Sequence, residues 1–228
     1  MNDSVFGQTI IAYRGCDFEV GAKVINGEIA HLTPSNNPYD WLGDGIYFFE
    51  EDLRRAQYFS IAAAAAPEKH LTAKPIIVPF AIGAVLKLGN CLDLSKQSGI
   101  DEFRQAYDDL ESGKGPEQEL PVNKQSGPGD EEGILHNLDR AVINFIHGQR
   151  IMEGKLPYDT VRGFFFQGKP VFSTSAIAQL SHVQIAVRNT SCIFGYLHPQ
   201  APTADPFQGL NRLRPPPYRR KPAPSKKS

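Results

Sequence analysis

Between residues 43 and 66 the hydrophobic period changes once, and that change constrains the fold more than any other stretch. "GDGIYFF" (43–49) is a short aromatic and β-branched run behind two glycines, which reads as a buried strand. Glu50, Glu51 and Asp52 follow, and acids suit a helix start because they face its unpaired N–H groups. Leu53, Ala56, Phe59 and Ala63 then recur at helical spacing until Pro67 ends the run. A strand therefore passes almost directly into a helix.

The rest of the chain is read against that unit. "QTIIAYRGC" (8–16) is an apolar strand closed by glycine, and residues 26–44 are a loop with Pro and Asn turn signals. Residues 75–94, "PIIVPFAIGAVLKLGNCLDL", read as one or two strands broken at Gly83 and Gly89. A short helix is expected over 100–111, a polar insertion loop over 111–133, and an amphipathic helix over 134–152. Short strands are expected near "RGFFFQ" and "KPVF", a strong one in "SHVQIAVRN", and another in "CIFGYL". Strands cluster at both ends with helices between them, which predicts an α+β fold with mainly antiparallel pairing.

The length of 228 residues suits one domain with a tail. From Gln200 onward there are seven Lys/Arg and one Asp, which leaves about −7 on residues 1–199. The tail "RLRPPPYRRKPAPSKKS" is Pro-rich and poor in apolar residues, so it is expected to be extended or disordered. It serves equally as a solubilising arm or as a contact for nucleic acid or another anionic partner. Cys16, Cys91 and Cys192 show no CxxC spacing, and the six histidines lack metal-ligand spacing, so free thiols and no metal are expected. No apolar run has the length to span a bilayer, and "MNDSVFGQTI" lacks the pattern of a standard leader. The expectation is a cytoplasmic protein without a membrane contact.

No GxSxG elbow, Walker loop, HExxH or GxGxxG motif occurs. Three segments could carry chemistry. Arg14 offers a fork of donors for phosphate or ribose oxygens, and Gly15 lets a ligand approach the backbone; a strand-end arginine reaching into solvent explains the same pair. Tyr47 on a strand and Tyr58 on the next helix can meet at one cleft and clamp a flat heterocycle; two ordinary core or rim aromatics also fit. In 181–189, Val183, Ile185 and Val187 share one face while Gln184 and Ala186 share the other. That second face suits a cleft floor or a solvated strand.

Taken in order, "RG" (14–15), "GDGIYFF" (43–49), "RAQY" (55–58) and "HVQIAVRNTSCIFGYL" (182–197) resemble the ADP-ribosyltransferase superfamily on its poly(ADP-ribose) polymerase-like branch. "YDWLGDGIYFFEEDLRRA" and "VRGFFFQGKPVF" resemble, more narrowly, a bacterial and phage-associated group of that kind. The resemblance spans most of residues 9–198 and is specific at 43–58. It implies two packed, mainly antiparallel β-sheets flanked by helices, over a domain of residues 1–199. It also implies NAD as co-substrate, with no metal, and a pentosyl transfer of ADP-ribose to a protein or nucleic-acid acceptor, as in a bacterial toxin or phage-defence effector. Gly15 would hold the nicotinamide carboxamide through its backbone, and Arg14 would reach the ribose hydroxyls or pyrophosphate. Tyr47 and Tyr58 would flank the nicotinamide ring. Gln184 stands where the family's transferases carry Glu, and Arg14 where the branch carries His.

The substitution at 184 matters because nicotinamide cleavage passes through a ribosyl cation-like transition state, which a carboxylate stabilises and a neutral amide stabilises less. Glu50 or Asp44 could compensate. A catalytically weak or inactive NAD-binding or nucleotide-binding module of the same fold is the competing reading.

Overall fold

A computed structural model of the chain describes residues 7–67, 72, 74–125 and 135–199. The tail from residue 200 and most of the second half of the expected insertion loop lie outside the described residues. Seven strands form one sheet in the order β4-β7-β8-β2-β1-β3-β9, and β5 and β6 form a separate pair. In chain order the elements are β1 (Thr9–Asp17), α1 (Phe18–Ile25), β2 (Ile46–Glu50), α2 (Leu53–Ala65), β3 (Pro79–Lys87), β4 (Cys91–Asp93) and α3 (Gln97–Gly113). They continue through β5 (Asn123–Lys124), β6 (Leu135–His136), α4 (Asn137–Met152), β7 (Thr160–Phe165), β8 (His182–Val187) and β9 (Ile193–Leu197).

The architecture is α+β, and every pair in the large sheet is antiparallel except β4 with β7. The two packed sheets expected from the resemblance are instead one sheet joined through a narrow waist. β1 meets β2 at only two residue pairs, Ala12 with Glu50 and Tyr13 with Phe49, whereas it pairs with β3 along all nine of its residues. Alternate residues of both halves feed one cluster, with Ile10 and Ala12 of β1, Ile82 and Leu86 of β3, Phe48 of β2 and Ile185 of β8 packed together with Val24 of α1. Ile185 and Val187 share one face of β8 as expected, and Ala186 on the other face is buried too.

The opposite face is covered in two places. Helix α2 lies on β1 and β3, where Ala56 packs with Phe49 and Ala81. Helices α3 and α4 cover the other half, with Ala106, Val142, Ile143 and Ile146 against Leu92, Val161 and Ala186. The strip of sheet between these coverings carries Phe49, His182, Gln184 and Phe165.

Several local expectations change. Glu50 ends β2 rather than opening a helix, and Glu51 adopts φ +51°, so Asp52 alone caps α2 by accepting from Arg55 N–H at 2.8 Å. Gly83 does not break its strand: β3 runs through it beside β9, and a Cβ there would come within 2.5 Å of Cδ1 of its register partner Leu197. Helix α1 falls where no element was expected; Asp17 caps it through Glu19 N–H and binds Ile77 and Val78 N–H with its other oxygen. Helix α3 extends to Gly113, which shortens the expected loop, and "KPVF" forms no strand beyond an isolated bridge from Pro170 to Ala178. No helix among the described residues is long and apolar enough to cross a membrane.

Candidate functional site

The waist of the sheet leaves one rung unmade. Glu51 N–H donates to Ile11 C=O at 3.0 Å on the β2 side of β1, while Gln8 C=O accepts from Leu88 N–H at 2.9 Å on the β3 side. Backbone groups alternate along an antiparallel strand, so Tyr13 and Gly15 turn their N–H and C=O toward β2. Tyr13 is paired there with Phe49; Gly15 and Tyr47, next in register, are not paired. Below them the segment around Ser35 takes over, exchanging two backbone hydrogen bonds with Gly45 at 2.8 and 3.0 Å. A gap one rung long thus has the Gly15 backbone on one side and the Tyr47 backbone on the other.

Gly15 has a second reason to be glycine. A Cβ would stand 2.4 Å from Ala56 C=O and 3.1 Å from Ser60 N, so α2 approaches β1 over this position. The close approach expected for a ligand is made by a helix on the side-chain side, and the backbone edge alone is turned into the gap.

Arg14 points to the other face of β1, toward residues 31–40. Burial lowers its pKa, against the opposing pull of Cys16, Tyr196 and Asp40. Its one hydrogen bond goes to Thr33 C=O at 3.5 Å, and among the described residues it has no carboxylate within ion-pair distance. A half-buried guanidinium with no carboxylate at ion-pair distance among the described residues can take an anion.

Tyr47 is not a free wall. Its hydroxyl accepts from Leu42 N–H at 3.0 Å and donates to Gly43 C=O at 2.8 Å, and its ring packs with Trp41, Leu42 and Ala186. Burial, then Asp40, push its pKa well above the usual phenol value. Beside Tyr58 stands a cation: the Arg55 guanidinium lies 5.6 Å from the Tyr58 ring centroid and 4.9 Å from that of Phe49. Arg55 also donates to Gln167 Oε1 at 2.5 Å. Tyr47 lies on β2 and Tyr58 on α2 as expected; what the sequence could not show is that Tyr47 braces the turn before β2. Replacing Tyr47 by Phe is expected to cost about 1–2 kcal/mol, because a part-buried N–H and C=O lose their partner. Urea unfolding of the variant measures this, and an unchanged midpoint would show that the turn does not depend on the hydroxyl.

Gln184 lies opposite Phe49 on β2 and Gly163 on β7, on the same face as Tyr47. Its Oε1 accepts from Trp41 Nε1–H at 2.7 Å. The two acids considered as substitutes for a missing glutamate are already committed. Glu50, on the opposite face of β2, binds Arg162 through both oxygens at 2.5 and 2.9 Å, and Asp44 binds Arg140 at 2.8 and 3.2 Å. Neither reaches Gln184 without giving up an arginine.

His182, Trp41, Phe165 and Arg55 were not singled out in the sequence. His182 could have been, since it shares Gln184's face two residues away; nothing marks the others. His182 Nδ1 must carry the proton, because it sits 2.6 Å from Leu180 C=O, an acceptor only. Burial and then Arg55 lower its pKa to about 4. Its ring packs edge-on against Phe49 at 4.8 Å and tilted against Phe165 at 5.5 Å.

Other chemistry is sparse. The three cysteines are free, and burial pushes each thiol up to about 11, so their thiolates are absent at neutral pH. Among the described residues no group of His, Cys, Asp or Glu is arranged to hold a metal. A shallow hollow of about 280 Å³ between α3 and α4, lined by Glu102, Asp109, Arg150 and Lys155 among others, mixes charges without a convergent set.

No protein-family model matches the chain, and no curated protein or solved structure matches it at a significant level.

Proposed function

We propose that the chain is an NAD-dependent ADP-ribosyltransferase with an ADP-ribosyltransferase-like fold, acting on a protein or nucleic-acid acceptor. The observation that carries this reading is the unmade rung, with Gly15 N–H and C=O turned into it. An adjacent donor and acceptor on one backbone edge complement a primary carboxamide, which offers one acceptor oxygen and N–H donors, as nicotinamide does. Arg14, one residue away on the other face and without a carboxylate partner, would take the pyrophosphate. Gln184, on β8 beyond β2, would face the ribose. Binding energy on carboxamide and pyrophosphate would fix the dinucleotide at both ends of the bond that breaks.

The alternative, an NAD-binding module without turnover, is favoured by one specific observation: Gln184 is neutral and both nearby acids are held by arginines. Incubation with NAD labelled in the adenine moiety, in a lysate containing protein, DNA and RNA, separates the two. Label transfer with nicotinamide release supports the transferase, and saturable binding without either leaves the module. Arg14→Ala is expected to weaken NAD binding about 10- to 100-fold, as for loss of a charge-assisted contact. Thermal stability should hold, since the substitution removes a half-buried cation with one weak hydrogen bond. Unchanged NAD affinity in a folded Arg14→Ala protein would remove Arg14 from the site.

A further inference from the structure

Trp41 lies over the sheet in a slot made by the absence of a side chain. A Cβ on Gly163 would come within 2.6 Å of Trp41 Cη2 and 2.9 Å of Cζ3. Gly163 is the β7 partner of Gln184, so slot and amide adjoin across one rung. Phe165, at 5.1 Å between ring centroids, and His136, at 6.5 Å, border the indole further. From this seat Trp41 Nε1–H donates to Gln184 Oε1 at 2.7 Å.

An indole nitrogen can only donate. The amide must therefore offer Trp41 its oxygen, and its nitrogen end turns away. Gln184 Nε2 has no hydrogen-bond partner among the described residues, and it is not one of the side-chain atoms sealed from solvent. Two N–H donors stand open on the strip between the helices.

We propose that Trp41 is a positioning residue for Gln184: seated over Gly163, it holds the amide by its oxygen, so that the amide N–H donors face the cleft and engage a ligand through an acceptor oxygen. The orientation follows from the Trp41–Gln184 pair itself. The identity of the oxygen, a ribose hydroxyl, rests on the NAD reading. A donor aimed at that hydroxyl grips the ribose, and it stabilises the developing charge at C1′ less than a carboxylate would.

Trp41 is the only tryptophan in the chain, so a proton–nitrogen correlation spectrum of the ¹⁵N-labelled full-length protein contains one indole cross-peak. Gln184→Leu should move that peak upfield as the hydrogen bond is lost, and Gln184→Glu, which keeps an acceptor oxygen, should leave it downfield. Trp41→Phe and, as a second route, Gly163→Ala should each raise the Kd for NAD about 5- to 10-fold, the scale of one oriented hydrogen bond. In a Gln184→Leu background neither should weaken binding further. An indole peak unmoved by Gln184→Leu, or an equal loss of affinity from Trp41→Phe with and without Gln184, would overturn the proposal. Failure of wild-type protein to bind NAD would bring down the nucleotide reading alone, and the indole peak would still decide the role of Trp41.

Discussion

Acidification from pH 7 to pH 4 is expected to destabilise the fold by about 5 kcal/mol, as much as the whole stability of many domains. His147 on α4 and His182 on β8 are each about 95 % buried, at 4 % and 5 % exposure. Burial, then Arg188 and Arg150, hold His147 down to about 3; burial, then Arg55, hold His182 down to about 4. Unfolded histidines titrate near 6.5. Below that pH the unfolded chain binds two protons that the folded chain refuses, so stability falls as pH falls. The slope approaches about 1.4 kcal/mol per pH unit for each histidine until the folded values are reached. Asp44 is the one acid opposing this for His147, and Leu180 C=O, through Nδ1, does so for His182. Asp17 and Asp93, whose carboxyls are held low by N–H groups, Ser95 and nearby cations against the cost of burial, add loss only at lower pH. Urea unfolding at half-unit steps from pH 7 to 4 should show a slope near two protons. His147→Leu should remove about one, since among the described residues neither ring nitrogen of His147 has a hydrogen-bond partner to lose. A flat stability between pH 6.5 and 5 would mean that these rings are hydrated or rearranged in solution.

What the sequence disclosed and what it hid divide along a physical line. Period-2 and period-3.6 patterns report which side of an element is apolar, so β8's two faces, the α2 stripe and the α4 stripe were legible from residues alone. The same patterns do not report what covers a face. The glycine in "YRG" signalled a close approach, and only the packed structure shows that α2 makes it, through Ala56 and Ser60, while the backbone edge faces the gap. Gly83 looked like a strand break for the same reason, since an absent side chain marks either a bend or a neighbour. Tyr47 and Tyr58 were correctly placed on β2 and α2, but the sequence carries no sign that Arg55 would insert beside Tyr58 or that Tyr47 would spend its hydroxyl on Leu42 and Gly43. Trp41 stayed invisible because its role depends on Gly163, 122 positions away, and no local pattern records a slot shared by two distant segments. The single sheet with a two-pair waist was hidden likewise: the bridge from Ser35 to Gly45 just before β2 joins segments whose local pattern reads as loop.

Gln184→Glu is expected to raise the rate of nicotinamide release from NAD about 100-fold, the scale on which one well-aimed electrostatic contact acts on a developing charge. The position is prepared for a carboxylate. One oxygen would keep the Trp41 N–H, as Oε1 does now at 2.7 Å, and the other would replace the open amide nitrogen. On the NAD reading a negative charge would then face the ribose as its C1′ becomes cationic, in place of the amide donors. The two acids considered as substitutes are already engaged: Glu50 is paired with Arg162 and Asp44 with Arg140. Partial burial of the new carboxylate should cost about 1–2 kcal/mol of stability, moderated by the Trp41 hydrogen bond. NAD affinity should change little beside the rate, because ground-state ribose is uncharged and the gain is confined to the transition state. Chromatographic assay of nicotinamide under saturating NAD compares the two proteins directly. A variant that binds NAD like the wild type and releases nicotinamide no faster would show that residue 184 does not face the glycosidic carbon, and the site would have to be rebuilt around Arg14 and the gap between Gly15 and Tyr47 alone.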